Sequence, residues 1–482
     1  MFDATAIEAS HHFIQTLIDS DRHHVGTLDP NGNFVEARVA PNSQASGTPP
    51  ASHGLTFFER HRVAVPTGLL PALLARPDMP GAVALSTAPS TGPSRWPRLT
   101  LARHGGSGVD HLRVDLGYEI VDLSQVAGIN DPNRCIAWEL VQWSRRLGGE
   151  RIQPIRSIPI ARVFEDCVGG GAPQSAAEPQ FAVNSDHGRR CTVLVLDTGL
   201  RAHPGLLAER VGPVDPSGDD LDDVDDPRTG GLRWFAGHGT FIAGVIHRRA
   251  PLAQVLVADV TDARFGAAGG PYIVDEAQLA VSLGLGLARA RDLRDNDGRP
   301  NVIVNLSIAA NLPDGDGDGL FAAAVREARR EWGDRIVFLA AGGNVPNGVV
   351  VSCDGNSPAT FPAGLADVDC VASLNGNGGP AWWSVQQGDI DAWALGEDVV
   401  GPHPGGWAPT TAGPFPEFRQ IPADSWVSWS GTSFAVAWVT AALAQQTTDS
   451  TPVATTWRTM LEQFGGFSPP LKGASAPQIP IS

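Results

Sequence analysis

The chain has 482 residues, of which 42% are hydrophobic and 18% charged, and its formal net charge is −17. That length predicts two or three domains, with enough apolar content for a large core. The negative charge excludes a general nucleic-acid binder, which needs a basic face to displace counterions from phosphate, and it points to no particular partner. The first ten residues, Met-Phe-Asp-Ala-Thr-Ala-Ile-Glu-Ala-Ser, have neither a basic start nor an unbroken apolar core, so no secretory signal is expected there. Apolar runs such as Phe434–Leu443 are too short to span a bilayer, and no membrane partner is expected. The five cysteines (135, 167, 191, 353 and 370) are scattered, odd in number and without zinc-site spacing. A reduced, cytoplasmic setting is the expectation, with pairing of Cys353 and Cys370 left open.

In chain order, residues 1–165 read as a separate N-terminal α/β domain. Ala4–Ile18 has helical apolar spacing. Val25–Leu28 and Phe34–Val39 flank Asp-Pro-Asn-Gly, a turn signal between two strands. Residues 41–54 are rich in Pro, Ser and Gly and read as a surface loop. Leu112, Val114, Leu116, Tyr118 and Ile120 alternate as in a half-buried strand, and Ile136, Leu140, Trp143 and Leu147 form a helical stripe that stops at Gly148-Gly149. Residues 166–190 carry no periodic pattern and are expected to be a flexible linker.

From residue 191 the rhythm changes, and 191–467 read as one domain followed by a tail, 468–482. Short apolar strands are predicted at Thr192–Leu196, Gln254–Val260, Val302–Ile308, Arg335–Ala341 and Val368–Ser373. Helices are predicted after His238, over 274–293 and 319–333, and after Ser433. Continuous β-branched strands between helices argue for a parallel sheet covered on both faces, which places ligands at the carboxyl ends of its strands.

Chemistry concentrates at such ends. Asp197 closes Val-Leu-Val-Leu-Asp-Thr-Gly, where a carboxylate can accept an imidazole N–H; taken alone it equally reads as a turn former. His238, in Gly-His-Gly-Thr, opens an apolar helix whose dipole favours a base that is neutral at rest. Ser433, in Ser-Gly-Thr-Ser, also opens an apolar helix, as an N-cap serine would, but beside a glycine that permits close backbone approach. Asn344, in Leu-Ala-Ala-Gly-Gly-Asn, could donate to an oxyanion or simply make a turn. An acid, a base and a hydroxyl in the order Asp…His…Ser, with an amide donor, are the parts of an acyl-transfer site. The Gly-x-Ser-x-Gly elbow of lipase-type folds is missing.

These segments, together with His203-Pro204 and residues 301–308, resemble the subtilisin-like serine proteases over about residues 191–450. The resemblance implies a subtilisin-like α/β fold in which Asp197 orients, His238 is general acid and base, Ser433 is nucleophile and Asn344 is oxyanion donor. It also implies that Ser307-Ile308-Ala309 and Ala341-Gly342-Gly343 bind the substrate backbone as an added strand. The chain departs from the family pattern at Phe241, where a second histidine is usual, and at Ser307-Ile308-Ala309, which lacks the usual glycine. It departs again at Leu395 and Val436, where prolines are usual.

The expectation is therefore a serine endopeptidase acting on protein or peptide substrates, without a cofactor for the chemistry and without a catalytic metal. An inert peptide-binding relative, and an esterase or acyltransferase on the same nucleophile, stand as alternatives. Residues 1–165 are expected to be a retained regulatory domain that holds the protease silent or meets a regulatory partner, with a prodomain as the competing reading. Asp215–Asp226 contains seven aspartates and reads as a solvated acidic loop, with structural calcium as the alternative. Residues 314–319 imitate an EF-hand start, but Val325 stands at the twelfth position, so Asp318 is read as a helix cap instead. Were that loop to lie by the groove, basic substrate side chains would be preferred. The pairs His11-His12 and His23-His24 read as surface histidines.

Overall fold

A computed structural model describes residues 23–28, 34–36, 56–66, 68–84, 118–129, 131, 134–148, 151–159, 173–178, 191–215, 235–262, 273–309, 319–344, 361–385, 390–409 and 418–463. The chain divides into two compact units, one of residues 1–158, 274–281 and 311–324 and one holding the rest. The predicted helix 4–18, the loop 41–54, most of the acidic segment 215–226 and Asp314–Asp318 lie outside the described residues, as does Cys353.

In the first unit β1 (His23–Leu28) and β2 (Phe34–Glu36) pair antiparallel, as the turn signal between them predicts. The long β3 (Thr56–Pro66) pairs with β1, precedes α1 (Leu70–Leu74) and β4 (Val83–Ala84), and is flanked also by β5 (Tyr118–Asp122) and, after α2 (Ile136–Leu147), by β6 (Gln153–Pro159). Ile136, Leu140 and Val141 of α2 bury with Val63, Val65, Leu73, Val121 and Leu123 in one apolar cluster. The helix stops where Gly148 turns to a φ of 73°, a conformation open to glycine. Leu147 is the exception to the predicted stripe: it is 53% exposed, because the last turn has left the cluster.

The second unit begins with a correction. Within the segment expected to be a flexible linker, Gln174–Ala176 form β7, an edge strand held antiparallel by residues 426–428. Its backbone is satisfied by a partner far along the chain, which no local pattern could announce.

The sheet that follows holds the catalytic-type motifs. β8 (Cys191–Asp197), β9 (Val211–Pro213), β10 (Gln254–Asp259), β13 (Asn301–Leu306), β14 (Ile336–Ala341), β15 (Asp369–Leu374) and β16 (Ala392–Leu395) form seven parallel strands; β11 (Thr261–Asp262) and β12 (Ile273–Asp275) fall between β10 and β13 in sequence. The order is β16-β15-β14-β13-β8-β10-β9, with β8 paired to β13 and β10 in the middle. Every residue of β8, β13 and β14 is buried, as expected for strands covered on both faces. Cys191, fully buried at the start of β8, has its thiol pushed up to about 12 by burial and is a packing residue.

The helices are α3 (His238–Arg249), α4 (Glu276–Asp297), α5 (Leu320–Trp332), α6 (Thr432–Gln446) and α7 (Val453–Gln463). α6 is apolar on nearly all sides, and it is buried. Two hairpin-like pairs complete the unit: β17 (Val399–His403) with β20 (Ser425–Trp429), and β18 (Gly406–Pro409) with β19 (Phe418–Ile421). Among the described residues no helix is long and apolar enough to cross a membrane.

Candidate active site

Adjacency in the sheet brings the motifs together. Asp197 is the last residue of β8, Ser307 follows the end of the neighbouring β13, and Gly342–Asn344 follow the end of β14. His238 and Ser433 sit in the first turns of α3 and α6, where the helix dipole favours developing negative charge.

His238 Nδ1 lies 2.7 Å from Asp197 Oδ1, and both side chains are buried, at 5% and 3% exposure. The same Oδ1 accepts the Thr198 N–H at 2.8 Å, while Oδ2 is buried without a hydrogen-bond partner among the described residues. A carboxylate accepting there requires the proton on Nδ1, which leaves Nε2 as the basic nitrogen.

The loop after Asp197 and the start of α3 brace each other. Thr198 Oγ1 accepts the Gly239 N–H at 3.0 Å, and Thr240 Oγ1 accepts the Arg201 N–H at 2.9 Å. The two glycines around His238 serve different needs. Gly237 takes a φ of 83°, and a Cβ on Gly239 would stand 2.3 Å from the Gly199 carbonyl oxygen.

Aromatic rings wall the imidazole. Trp429 meets it edge-on at 5.5 Å between centroids, Phe434 lies at 5.4 Å and Phe235 at 6.3 Å. Phe241, the departure from the family's second histidine, belongs to this wall, 5.9 Å from Trp429 and 4.6 Å from Phe434.

Ser433 is 3% exposed, and its hydroxyl donates to the Ser307 carbonyl at 3.2 Å. Ser307 Oγ in turn donates to Asn305 Oδ1 at 2.8 Å, and Asn305 Nδ2 donates to Thr440 Oγ1 at 3.0 Å, so a buried polar chain ties β13 to α6. Asn344 accepts through Oδ1 from both the N–H and the hydroxyl of Thr432, each at 2.9 Å, which fixes Nδ2 as its donating end.

The six residues predicted to bind a peptide backbone flank this point unequally. Ser307, Ile308 and Ala309 continue from β13 and are buried. Ala341 ends β14, and the N–H of Gly342 donates to the Val371 carbonyl. Gly343 donates to Thr432 Oγ1 and accepts from Val385 N–H, so both of its backbone groups are engaged inside the protein. Sequence reading missed the supporting threonines, Asn305 and the aromatic wall; a threonine directly after Asp197 and another just after His238 were the visible signals. Among the described residues no group of three or more His, Cys, Asp or Glu is placed to hold a metal ion.

An intracellular serine protease of Paenibacillus polymyxa is 25% identical over 271 residues, which covers 54% of this chain and 68% of that protein. Among solved structures, a cold-adapted subtilisin-like serine proteinase is 18% identical, covers 63% of this chain and 94% of its own, and superposes with a TM-score of 0.42. The prenylagaramide maturation protease PagA is 19% identical, covers 54% and 76% respectively, and has a TM-score of 0.35. The model of the subtilase family matches residues 188–463, which takes in β8, α3, β14 and α6, and the chain belongs to that family of subtilisin-type serine proteases.

Proposed function

We propose that the chain is an endopeptidase that cleaves peptide bonds through an acyl-enzyme on Ser433. The observation that carries this reading is the buried contact of 2.7 Å between His238 Nδ1 and Asp197 Oδ1, at a helix start that shares an aromatic wall with the helix of Ser433. In the reaction the Ser433 hydroxyl turns from the Ser307 carbonyl, its oxygen bonds to the substrate carbonyl carbon, and its proton passes to His238 Nε2. Asp197 stabilises the imidazolium. The oxyanion takes hydrogen bonds from Asn344 Nδ2 and from the Ser433 N–H at the start of α6. Collapse breaks the C–N bond, and the leaving amine takes the proton from His238. Water then enters and its oxygen bonds to the acyl carbon as its proton passes to His238; collapse breaks the bond to Ser433 Oγ, which takes that proton back, and the acid leaves.

The substrate backbone is read as an added strand along Ser307–Ala309. On the opposite side Ala341 and Gly342 contribute, with Gly343 acting through its shape because its own hydrogen-bonding groups are engaged. The name of the Paenibacillus relative supports action inside the cell, and residues 1–165 are read as a retained regulator that restrains the protease.

The test is labelling of full-length protein and of Ser433→Ala with a fluorophosphonate, followed by intact mass. Labelling of the wild type alone supports the nucleophile. Labelling with turnover of esters but of no peptide would convert the reading to an esterase, and no label in any form would make the chain an inert peptide binder.

A further inference from the structure

β17 touches both halves of the machinery. It pairs with β20 from Val399↔Trp429 to His403↔Ser425, and β20 runs straight into the turn before Ser433. It also lies hard against α3, the helix headed by His238. A Cβ on Gly244 of α3 would stand 2.1 Å from Pro402 Cγ, and a Cβ on Gly401 would stand 2.8 Å from the ring of Phe241. Such approach leaves little room for α3 to shift against β17.

His403, the last residue of β17, is fully buried and belongs to none of the family motifs. Its Nδ1 accepts the Gly405 N–H at 3.0 Å, so the ring proton is on Nε2, which donates to the Ala236 carbonyl at 3.1 Å. Ala236-Gly237 is the turn that delivers His238, and a Cβ on Gly237 would lie 2.9 Å from His403 Nε2. Both ring nitrogens are thereby satisfied in one neutral tautomer, and burial pushes the pKa down to about 4, against the opposing effect of the Ala236 carbonyl. His203 is the nearby titratable group; its Nδ1 accepts the Gly205 N–H and its Nε2 faces the Ser425 carbonyl.

We infer that His403 is a positioning residue, whose Nε2–H bond to the Ala236 carbonyl fixes the turn before His238 and so the aim of the general base at Ser433. This rests on the protease reading for its consequence in activity, though not for its geometry. A small misplacement of a catalytic group costs about a hundredfold in rate.

Two near-isosteric variants separate the hydrogen bond from the space it fills. In His403→Gln the amide nitrogen reaches the Ala236 carbonyl; in His403→Asn the shorter amide reaches Gly405 and leaves Ala236 without its donor. Full-length wild type and both variants are compared by thermal melting, by the rate of fluorophosphonate labelling at Ser433 and by the downfield proton resonance of His238 Nδ1–H against Asp197. The expected result is near-wild-type behaviour for Gln, and for Asn a labelling rate down by about a hundredfold with a shifted or broadened resonance. Peptide turnover should show the loss in kcat with KM little changed. Equal labelling and equal resonances in Asn and Gln would overturn the inference, as would a loss in both that follows melting temperature. Absence of label in the wild type bears on the protease reading and on its restraint by residues 1–165, while the resonance still decides whether His403 positions His238.

Discussion

Asn344 is defined by what it accepts. Two bonds from Thr432 hold its amide oxygen, so the amide nitrogen has only one way to face. Asn344→Ala should therefore lower kcat by about 10²–10³ with little change in KM, a scale known from a subtilisin that loses this kind of donor. The same change strands two Thr432 donors and should also cost on the order of 1 kcal/mol of stability in denaturant melts. Loss of rate without loss of stability would indicate that Thr432 finds another acceptor. Asp197, His238, Ser433 and Asn344 could be singled out in the sequence because each lies within two residues of a glycine at one edge of an apolar run. Thr198, Asn305 and His403 were not, because their meaning lies in partners 41, 135 and 167 residues away.

At the scale of elements, the parallel strands could be read as unbroken apolar runs, and their observed bounds shift from the predicted ones by only a residue or two. β17 and β7 escaped. Val-Val-Gly-Pro-His and Gln-Ser-Ala carry no alternation, and both strands exist because β20 offers two free edges. The fit of α3 on β17 is the point where element packing reaches the site. Gly244→Ala should destabilise the protein by about 1–3 kcal/mol, since the new methyl meets a proline ring. Melting temperature and labelling rate should fall together, as α3 carries His238 with it; an unchanged melting temperature would show that Pro402 yields.

For the whole molecule, pH stability should carry the mark of a carboxylate pair at the sheet's edge. Burial, and then the neighbouring Asp391, push the Asp369 carboxyl up from 3.8 to about 6. A raised carboxylate binds its proton more tightly folded than unfolded, so the fold loses stability as pH rises from about 4 to about 6. The loss is on the order of 3 kcal/mol. Asp369→Asn should flatten that part of the curve and raise the melting temperature at pH 7 relative to wild type; an unaltered slope would place the penalty elsewhere. The two-unit division was less legible than the motifs. Composition marks residues 1–165 as different, but nothing local shows that 274–281 and 311–324 cluster with residues 1–158.

The order of the elements along the chain has a consequence for its life before it is finished. The oxygen-bearing helix α6 is among the last elements to be synthesised, while β8 and α3 come far earlier. At ribosomal speeds of about 5–20 residues per second, His238 precedes Ser433 into the cell by about 10–40 s. On the proposed reading, a nascent chain carries its acid and base before its nucleophile, and before the β17 that packs against α3. On that reading no acyl-enzyme forms on the polysome before the helix that carries Ser433 is made.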